Sequence, residues 1–349
     1  MKNIRYLIQS FSILILVVLF SCTGGEKKTS QAEASTSVQS KAEPVEINDE
    51  AKALLAYLDE MGDYVNTRSF PSLIKAASVY EEMDKNNLII DLRTPEAFAK
   101  GHIKGAKQVE FTQLPGYFTN TIKPFEYDRI ILVCYSGQSS SYAASLLRLT
   151  GYGNVYSMRW GMSAWNEEPA TDSWFEHIAS GYQNKLETGS NDKPGTFDFP
   201  RMNTGIKDGE TILSNRFIAL FEAGFPDAII EAEKVFEQPD KYFIINYDRR
   251  DKYEAGHIPG AVRYKPNGTL GIVSEMQTIP NDKEIVIYCG TGHNSGFVTA
   301  YLRLFGYDAK TLIYGNNSFM YDKMVTEKGT MSWLPFTKDE IGNYPLVKD

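Results

Sequence analysis

The sequence predicts a duplicated α/β fold: two domains, each a mostly parallel central sheet flanked by helices. Three blocks of self-similarity point to the duplication. Gly101-His102-Ile103-Lys104-Gly105-Ala106 returns as Gly256-His257-Ile258-Pro259-Gly260-Ala261. Cys134-Tyr135-Ser136-Gly137 returns as Cys289-Gly290-Thr291-Gly292, and Leu147-Arg148-Leu149-Thr150-Gly151-Tyr152 as Leu302-Arg303-Leu304-Phe305-Gly306-Tyr307. All three are displaced by 155 positions, a period too long for a solenoid and of the size of a whole domain.

Within each copy the apolar pattern alternates between strand and helix. In the first, Leu88 to Leu92 is a short buried strand, Pro95 to Lys100 a short helix closed by Gly101, and Ile130 to Val133 a second strand ending at Cys134. Ser140 to Leu149 has helical spacing and stops at Gly151; Val155-Tyr156 is a third strand and Trp160 to Asn166 a short helix. Their counterparts are Phe243 to Tyr247, Glu284 to Tyr288, Ser295 to Phe305 and Lys310 to Ile313. Such alternation implies a parallel sheet covered on both faces, with the ligand site at the carboxyl end of a central strand. Helices over Asn48 to Gly62 and Glu210 to Gly224 open the two copies.

Boundaries follow from composition. Residues 1–21 read as a lipoprotein signal peptide: Lys2 and Arg5 precede the apolar run Ile13 to Phe20, too short to span a bilayer. Leu19-Phe20-Ser21-Cys22 resembles a bacterial lipobox, which implies diacylation of Cys22 as the mature N-terminus and two acyl chains for stable anchoring. An ordinary signal peptide with an incidental Cys22 is the alternative. Residues 22–49 have almost no large apolar side chains and make a flexible tether. Domain one is then 50–180, a Gly-, Asn-, Asp- and Pro-rich connector 181–209, and domain two 210–349. The expected location is the bacterial cell envelope, lipid-anchored, periplasmic or associated with the outer membrane. The net charge of −8, with Lys2 and Arg5 the charges before Cys22, argues against nucleic acid as a partner. Oligomeric state is left open.

Three cysteines occur, one in the lipobox and one at the same place in each copy. Cys134 and Cys289 are the candidate catalytic residues. Tyr135, Ser136, Gly137, Gln138, Ser139 and Ser140 follow the first, and Gly290, Thr291, Gly292, His293, Asn294 and Ser295 the second, as candidate substrate-binding loops. The glycine at the fourth position lets the chain curl, so that successive backbone N–H groups point at one atom and form an anion-binding nest. Holding such a thiol as its anion at neutral pH takes about 2.7 kcal/mol, and a helix terminus supplies up to about 2 kcal/mol. The loop amides must supply the rest. The same cradle would hold a terminal persulfide anion.

These motifs, with Asp91-Leu92-Arg93, Glu96 and Trp160-Gly161-Met162-Ser163-Ala164-Trp165, resemble the rhodanese (sulfurtransferase) superfamily in tandem, over about 65–170 and 225–325. The resemblance implies a double displacement: a cysteine takes sulfane sulfur from a small donor (thiosulfate, polysulfide or a small persulfide), becomes a persulfide, and passes the sulfur to a thiol or cyanide acceptor, with no cofactor. Many rhodaneses carry arginine at the sixth loop position, where Ser139 and Asn294 stand. Asp-x-Arg of copy one becomes Asn246-Tyr247-Asp248, and Gly315-Asn316-Asn317 stands where copy one has Trp160-Gly161-Met162. The lost arginines favour a second reading, a non-catalytic sulfane-sulfur carrier or envelope binding module. They disfavour the cell-cycle phosphatases that share the fold, which clamp phosphate with a loop arginine.

Plainer roles are expected elsewhere. Asp91 and Arg93 read as support for the loop, with Glu96 as an ion-pair partner of Arg93. His102 and His257 read as internally hydrogen-bonded, Trp160 and Trp165 as core. His293, inside its loop, either bonds a donor, acts on the neighbouring thiol or is structural. A disulfide between Cys134 and Cys289 would need the two loops within about 7 Å of each other. No metal site is expected, since the four histidines lack paired ligand spacing.

Overall fold

The structure, a computed structural model, describes residues 45–271 and 275–348. The signal-peptide segment, Cys22 and most of the tether lie outside the described residues.

Among the described residues ten strands form two five-stranded sheets. The first contains β1 (Leu73–Ile74), β2 (Asn87–Asp91), β3 (Lys107–Gln108), β4 (Arg129–Val133) and β5 (Val155–Met158), in the order β1-β5-β4-β2-β3. The second repeats it with β6 (Ile229–Ile230), β7 (Tyr242–Asn246), β8 (Val262–Arg263), β9 (Glu284–Tyr288) and β10 (Ala309–Leu312), ordered β6-β10-β9-β7-β8. Every pairing is parallel. The central strands are continuous apolar runs because helices cover both faces, as the sequence predicts. The two-residue edge strands β1, β3, β6 and β8 were not expected; runs that short carry no periodicity.

β2 and β4 pair from Asn87↔Arg129 to Asp91↔Val133, so Cys134 leaves the sheet at the carboxyl end of its central strand. Cys289 leaves β9 in the same way beside Asn246 of β7. Each loop turns at a left-handed glycine, Gly137 (φ 86°) or Gly292 (φ 77°), and enters a helix, Gln138–Leu149 or His293–Leu304. Both helices start two residues earlier than the apolar spacing suggests, because their first turns are buried by loop contacts and not by apolar side chains.

These two helices meet at the centre of the molecule. The Ser145 hydroxyl donates to the Phe297 carbonyl at 2.8 Å, and a Cβ on Gly296 would lie 3.3 Å from the Gln138 carbonyl oxygen. Burial on all sides explains their small-residue composition, with Ser140, Ser141, Ser145, Ala300 and Thr299 inaccessible to solvent. The opening helices Asp49–Glu60 and Gly209–Ala223 also pack together: Gly209 lies so close to Ala53 that a Cβ there would collide with its carbonyl. One core cluster therefore runs through both domains, from Leu54 and Leu146 to Phe221, Phe297 and Tyr301.

The tail of each domain straps the other. Val347 bridges antiparallel to His102, and Leu346 covers Gly101. Glu187 bridges likewise to His257, with Leu186 on Gly256. The connector is thus an extended strap across domain two.

Candidate active site

The Cys134 loop is held from outside by its carbonyls. Cys134 O accepts from Met162 N at 2.8 Å, Tyr135 O from the Ser163 hydroxyl at 3.0 Å, and Ser136 O from the Trp174 indole at 3.1 Å. With the carbonyls turned outward, amides turn inward: Gly137 N–H donates to Cys134 Sγ at 3.1 Å and Ser140 N–H at 3.5 Å. The Ser140 hydroxyl lies 3.3 Å from the sulfur and 2.8 Å from Ser157 Oγ. This arrangement stabilises negative charge on sulfur or on a terminal sulfur bound to it.

The Cys289 site has the same frame and a different polarity. Cys289 O accepts from Asn316 N at 3.1 Å, and Gly290 O from the Asn317 side chain at 2.8 Å. Its thiol donates to Ser295 Oγ at 3.6 Å, and Ser295 in turn meets Thr311 Oγ1 at 2.7 Å. Among the described residues no amide N–H bonds to Cys289 Sγ.

Both sulfurs are buried, Cys134 at 2% exposure and Cys289 at 3%, so neither is presented to solvent as an open nucleophile. Their surroundings are polar, and both are free thiols, so the disulfide alternative falls. A cleft of about 240 Å³ opens beside the Cys134 loop, lined by Arg93, Thr94, Glu96, Lys100, Tyr135, Glu168, Asp172 and Leu346 among others, with Tyr135 41% exposed at its side. Cys134 is not part of its lining. Ser139 and Asn294 are half-buried, Ser136 likewise, and Thr291 and Gly290 buried.

Arg93 pairs with Asp91, Nη2 to Oδ2 at 2.7 Å and Nε to Oδ1 at 3.0 Å, and also donates to Gly101 O at 2.8 Å. Its expected partner Glu96 instead lines the cleft, at the start of an exposed helical turn. In copy two a different buried pair stands there: Asn246 replaces Asp91, Asp248 takes the place of Arg93, and Asp248 meets Lys252 of the following helix at 3.3 Å, both buried. The lost Asp-x-Arg is therefore a substitution of one buried ion pair for another, which local motif matching does not reveal.

The alignment of Gly315-Asn316-Asn317 with Trp160-Gly161-Met162 is off by one residue. β10 pairs with β9 one position earlier than the 155 spacing implies, Ala309 standing where Val155 stands. Tyr314-Gly315 thereby matches Trp160-Gly161, and both pairs have the same left-handed backbone: φ 66° and 59° in copy one, 60° and 54° in copy two. A Cβ on Gly161 would collide with the Cys134 carbonyl, and one on Gly315 with the Cys289 carbonyl. These residues, with Met162, Ser163, Trp174 and Asn317, hold the loops and were missed as site residues; the repeated aromatic-Gly pair was the available signal.

His102 and His257 bond internally, Nδ1 to Phe98 O at 3.0 Å and to Tyr253 O at 2.7 Å, each stacked on that ring. Trp160 and Trp165 are core residues. His293 contacts neither a cleft nor its own cysteine: it is fully buried across the domain boundary, its Nε2 accepting Trp160 N–H at 3.0 Å and its Nδ1 2.7 Å from Thr291 Oγ1. Burial first, then the Arg159 charge, lowers its pKa to about 3 and keeps the ring neutral. Ser136 O, 3.1 Å from the same Nε2, is then its non-bonded neighbour. Among the described residues no cluster of three or more His, Cys, Asp or Glu is placed to hold a metal ion.

A family profile for the rhodanese-like domain matches residues 75–168 and 230–321, together more than half of the chain. The thiosulfate sulfurtransferase GlpE of Pseudoalteromonas translucida is 37% identical over 94 residues, 26% of this chain and 86% of its own. The GlpE of Shewanella oneidensis is 38% identical over 87 residues, 25% of this chain and 82% of its own. Among solved structures, the rhodanese-related protein of Thermoplasma volcanium covers 28% of this chain and 92% of its own at 23% identity, with a TM-score of 0.25. Two profile matches, on two sheets of identical order that each deliver a cysteine loop, place the chain in the rhodanese-like family as a tandem member.

Proposed function

We propose that the chain is a sulfurtransferase whose working nucleophile is Cys134. One observation carries the choice: Cys134 Sγ accepts backbone N–H groups, whereas the Cys289 thiol donates to a hydroxyl. With thiosulfate, the Cys134 thiolate attacks the outer sulfur, forming the Cys134 S–S bond as the donor's S–S bond breaks and sulfite leaves. With a polysulfide, a shorter polysulfide leaves. An acceptor thiolate or cyanide then attacks the terminal sulfur and regenerates the Cys134 thiolate. Gly137 and Ser140 amides hold the charge in each anionic state.

No cation stands in either loop, because Ser139 and Asn294 occupy the sixth position and Arg93 is committed to Asp91 and Gly101. A polysulfide or small persulfide is therefore the favoured donor over the dianionic thiosulfate. The burial of both sulfurs supports a second reading, a sulfane-sulfur carrier that loads and unloads without efficient turnover.

Sulfur transfer from thiosulfate or polysulfide to cyanide or a thiol, measured on wild type, Cys134→Ser and Cys289→Ser, tests the assignment. Cys134→Ser is expected to fall to background while Cys289→Ser retains most turnover. Equal loss in both variants contradicts the choice of Cys134, and stoichiometric loading without turnover leaves the carrier. We further propose that the protein is exported and held in the envelope by lipid on Cys22. Its release from membranes by detergent and not by salt, lost in Cys22→Ser, checks this.

A further inference from the structure

Gln138 and His293 are the fifth residues of their loops, and each leaves its own domain. His293 of the Cys289 loop accepts Trp160 N–H in domain one, at 3.0 Å. Gln138 of the Cys134 loop accepts Tyr314 N–H in domain two through Oε1, at 2.7 Å. Each also keeps hold of its own loop: Gln138 Nε2 donates to Ser136 Oγ at 3.1 Å, and His293 Nδ1 faces Thr291 Oγ1 at 2.7 Å. The fourth-position glycines make room for the visitors. A Cβ on Gly137 would collide with the His293 ring, and one on Gly292 with the Gln138 amide.

The visited residues are two bulky side chains on a backbone that needs holding. Trp160 (φ 66°) and Tyr314 (φ 60°) are non-glycine residues in the left-handed region, a conformation that persists only when its surroundings enforce it. Directly after each comes the glycine that lies against the cysteine carbonyl, and then the amide that bonds it, Met162 N to Cys134 O at 2.8 Å and Asn316 N to Cys289 O at 3.1 Å. A short connected path thus runs from His293 to the Cys134 loop and from Gln138 to the Cys289 loop.

We infer that each cysteine loop is positioned from the opposite domain: His293 is a positioning residue for Cys134, and Gln138 for Cys289. The inference rests on the sulfur-transfer reading for what the loops do, and on geometry alone for how they are held. The full-length protein is exposed to polysulfide, and separately to iodoacetamide, and the rate of modification of each cysteine is followed by peptide mass spectrometry. His293→Ala is expected to slow Cys134 about tenfold, the equivalent of about one hydrogen bond, and to leave Cys289 much less affected. Gln138→Ala is expected to give the crossed result. His293→Gln, which installs the acceptor that copy one uses, is expected to restore the Cys134 rate; a variant that merely loosens the fold would show no such rescue. Equal slowing of both cysteines, an effect confined to the cysteine of the mutated loop, or an unchanged or faster Cys134 overturns the inference. Crossed iodoacetamide rates without sulfur loading would sink the sulfur-transfer reading and leave the positioning intact. Sulfur loading without crossing would do the reverse.

Discussion

Polarity around the two sulfurs follows from a few atoms. Cys134 is met by Gly137 and Ser140 amides because three successive carbonyls of its loop are bound from outside by Met162, Ser163 and Trp174. The tether points in copy two are Asn316 and Asn317, and the thiol there donates. Neither loop carries a cation at its sixth position, and the half-buried Ser139 is where one would stand. Ser139→Arg is accordingly expected to raise kcat/KM for thiosulfate by about 10- to 100-fold, the worth of one charge-assisted hydrogen bond, with a smaller gain for polysulfide. Steady-state kinetics with both donors checks it; equal gains would show that the arginine acts on the sulfur and not on the sulfonate. The cysteines, their glycines and the serines behind them were legible from the sequence because the repeat aligns them. The outer clamps were not, since Trp174 and Asn317 act through an indole N–H and an amide whose targets are backbone carbonyls far away in the chain.

On the scale of strands and helices, the ion pairs at the ends of β2 and β7 show what local pattern reading can and cannot do. Asp91 and Arg93 were readable as support for the loop but not as partners of each other, since Glu96 was the expected partner of Arg93. Their successor, Asp248 with Lys252, moves one charge onto a helix and is visible only once the helix Arg250–Ala255 is folded back over the strand end. The longer strands, the loop helices and the parallel order follow from apolar runs and their spacing. The two-residue edge strands and the one-residue slip before β10 do not, because a single deletion between Gly306 and Ala309 leaves no trace in composition. Asp91→Asn would leave the buried guanidinium of Arg93 without its counter-charge, at a cost of about 3–5 kcal/mol. Denaturant midpoints measure this. A change below about 1 kcal/mol would mean that water or the Gly101 carbonyl compensates the guanidinium.

For the molecule as a whole, the domain boundary is a continuous core with a polar lock in its middle, and the lock has a pH signature. His293 titrates at about 3 when folded and near 6.5 when unfolded, and burial also lowers His257. Between the two His293 values the unfolded chain takes up a proton that the folded chain refuses, so this stability is complete above about pH 6.5 and declines as pH falls, by about 1.4 kcal/mol per unit for His293, with His257 acting in the same direction. Unfolding midpoints at pH 7.5 and 5 are expected to differ in that direction, and His293→Gln to flatten the difference. A flat profile in wild type would mean that the ring admits a proton, with Ser136 O as its acceptor. None of this was legible in advance: the repeat announces two domains and is silent on how they meet.

The exchanged straps have a further consequence. His102 with Val347 and His257 with Glu187, Gln138 on Tyr314 and His293 on Trp160, are contacts of the form in which a patch meets its own copy. Identical subunits related by a twofold axis make such isologous contacts. The present molecule has the anatomy of a homodimer whose two chains are joined end to end, each half completing the other. In one half the sulfur accepts two backbone amides, and in the other the thiol donates to a hydroxyl within the same frame.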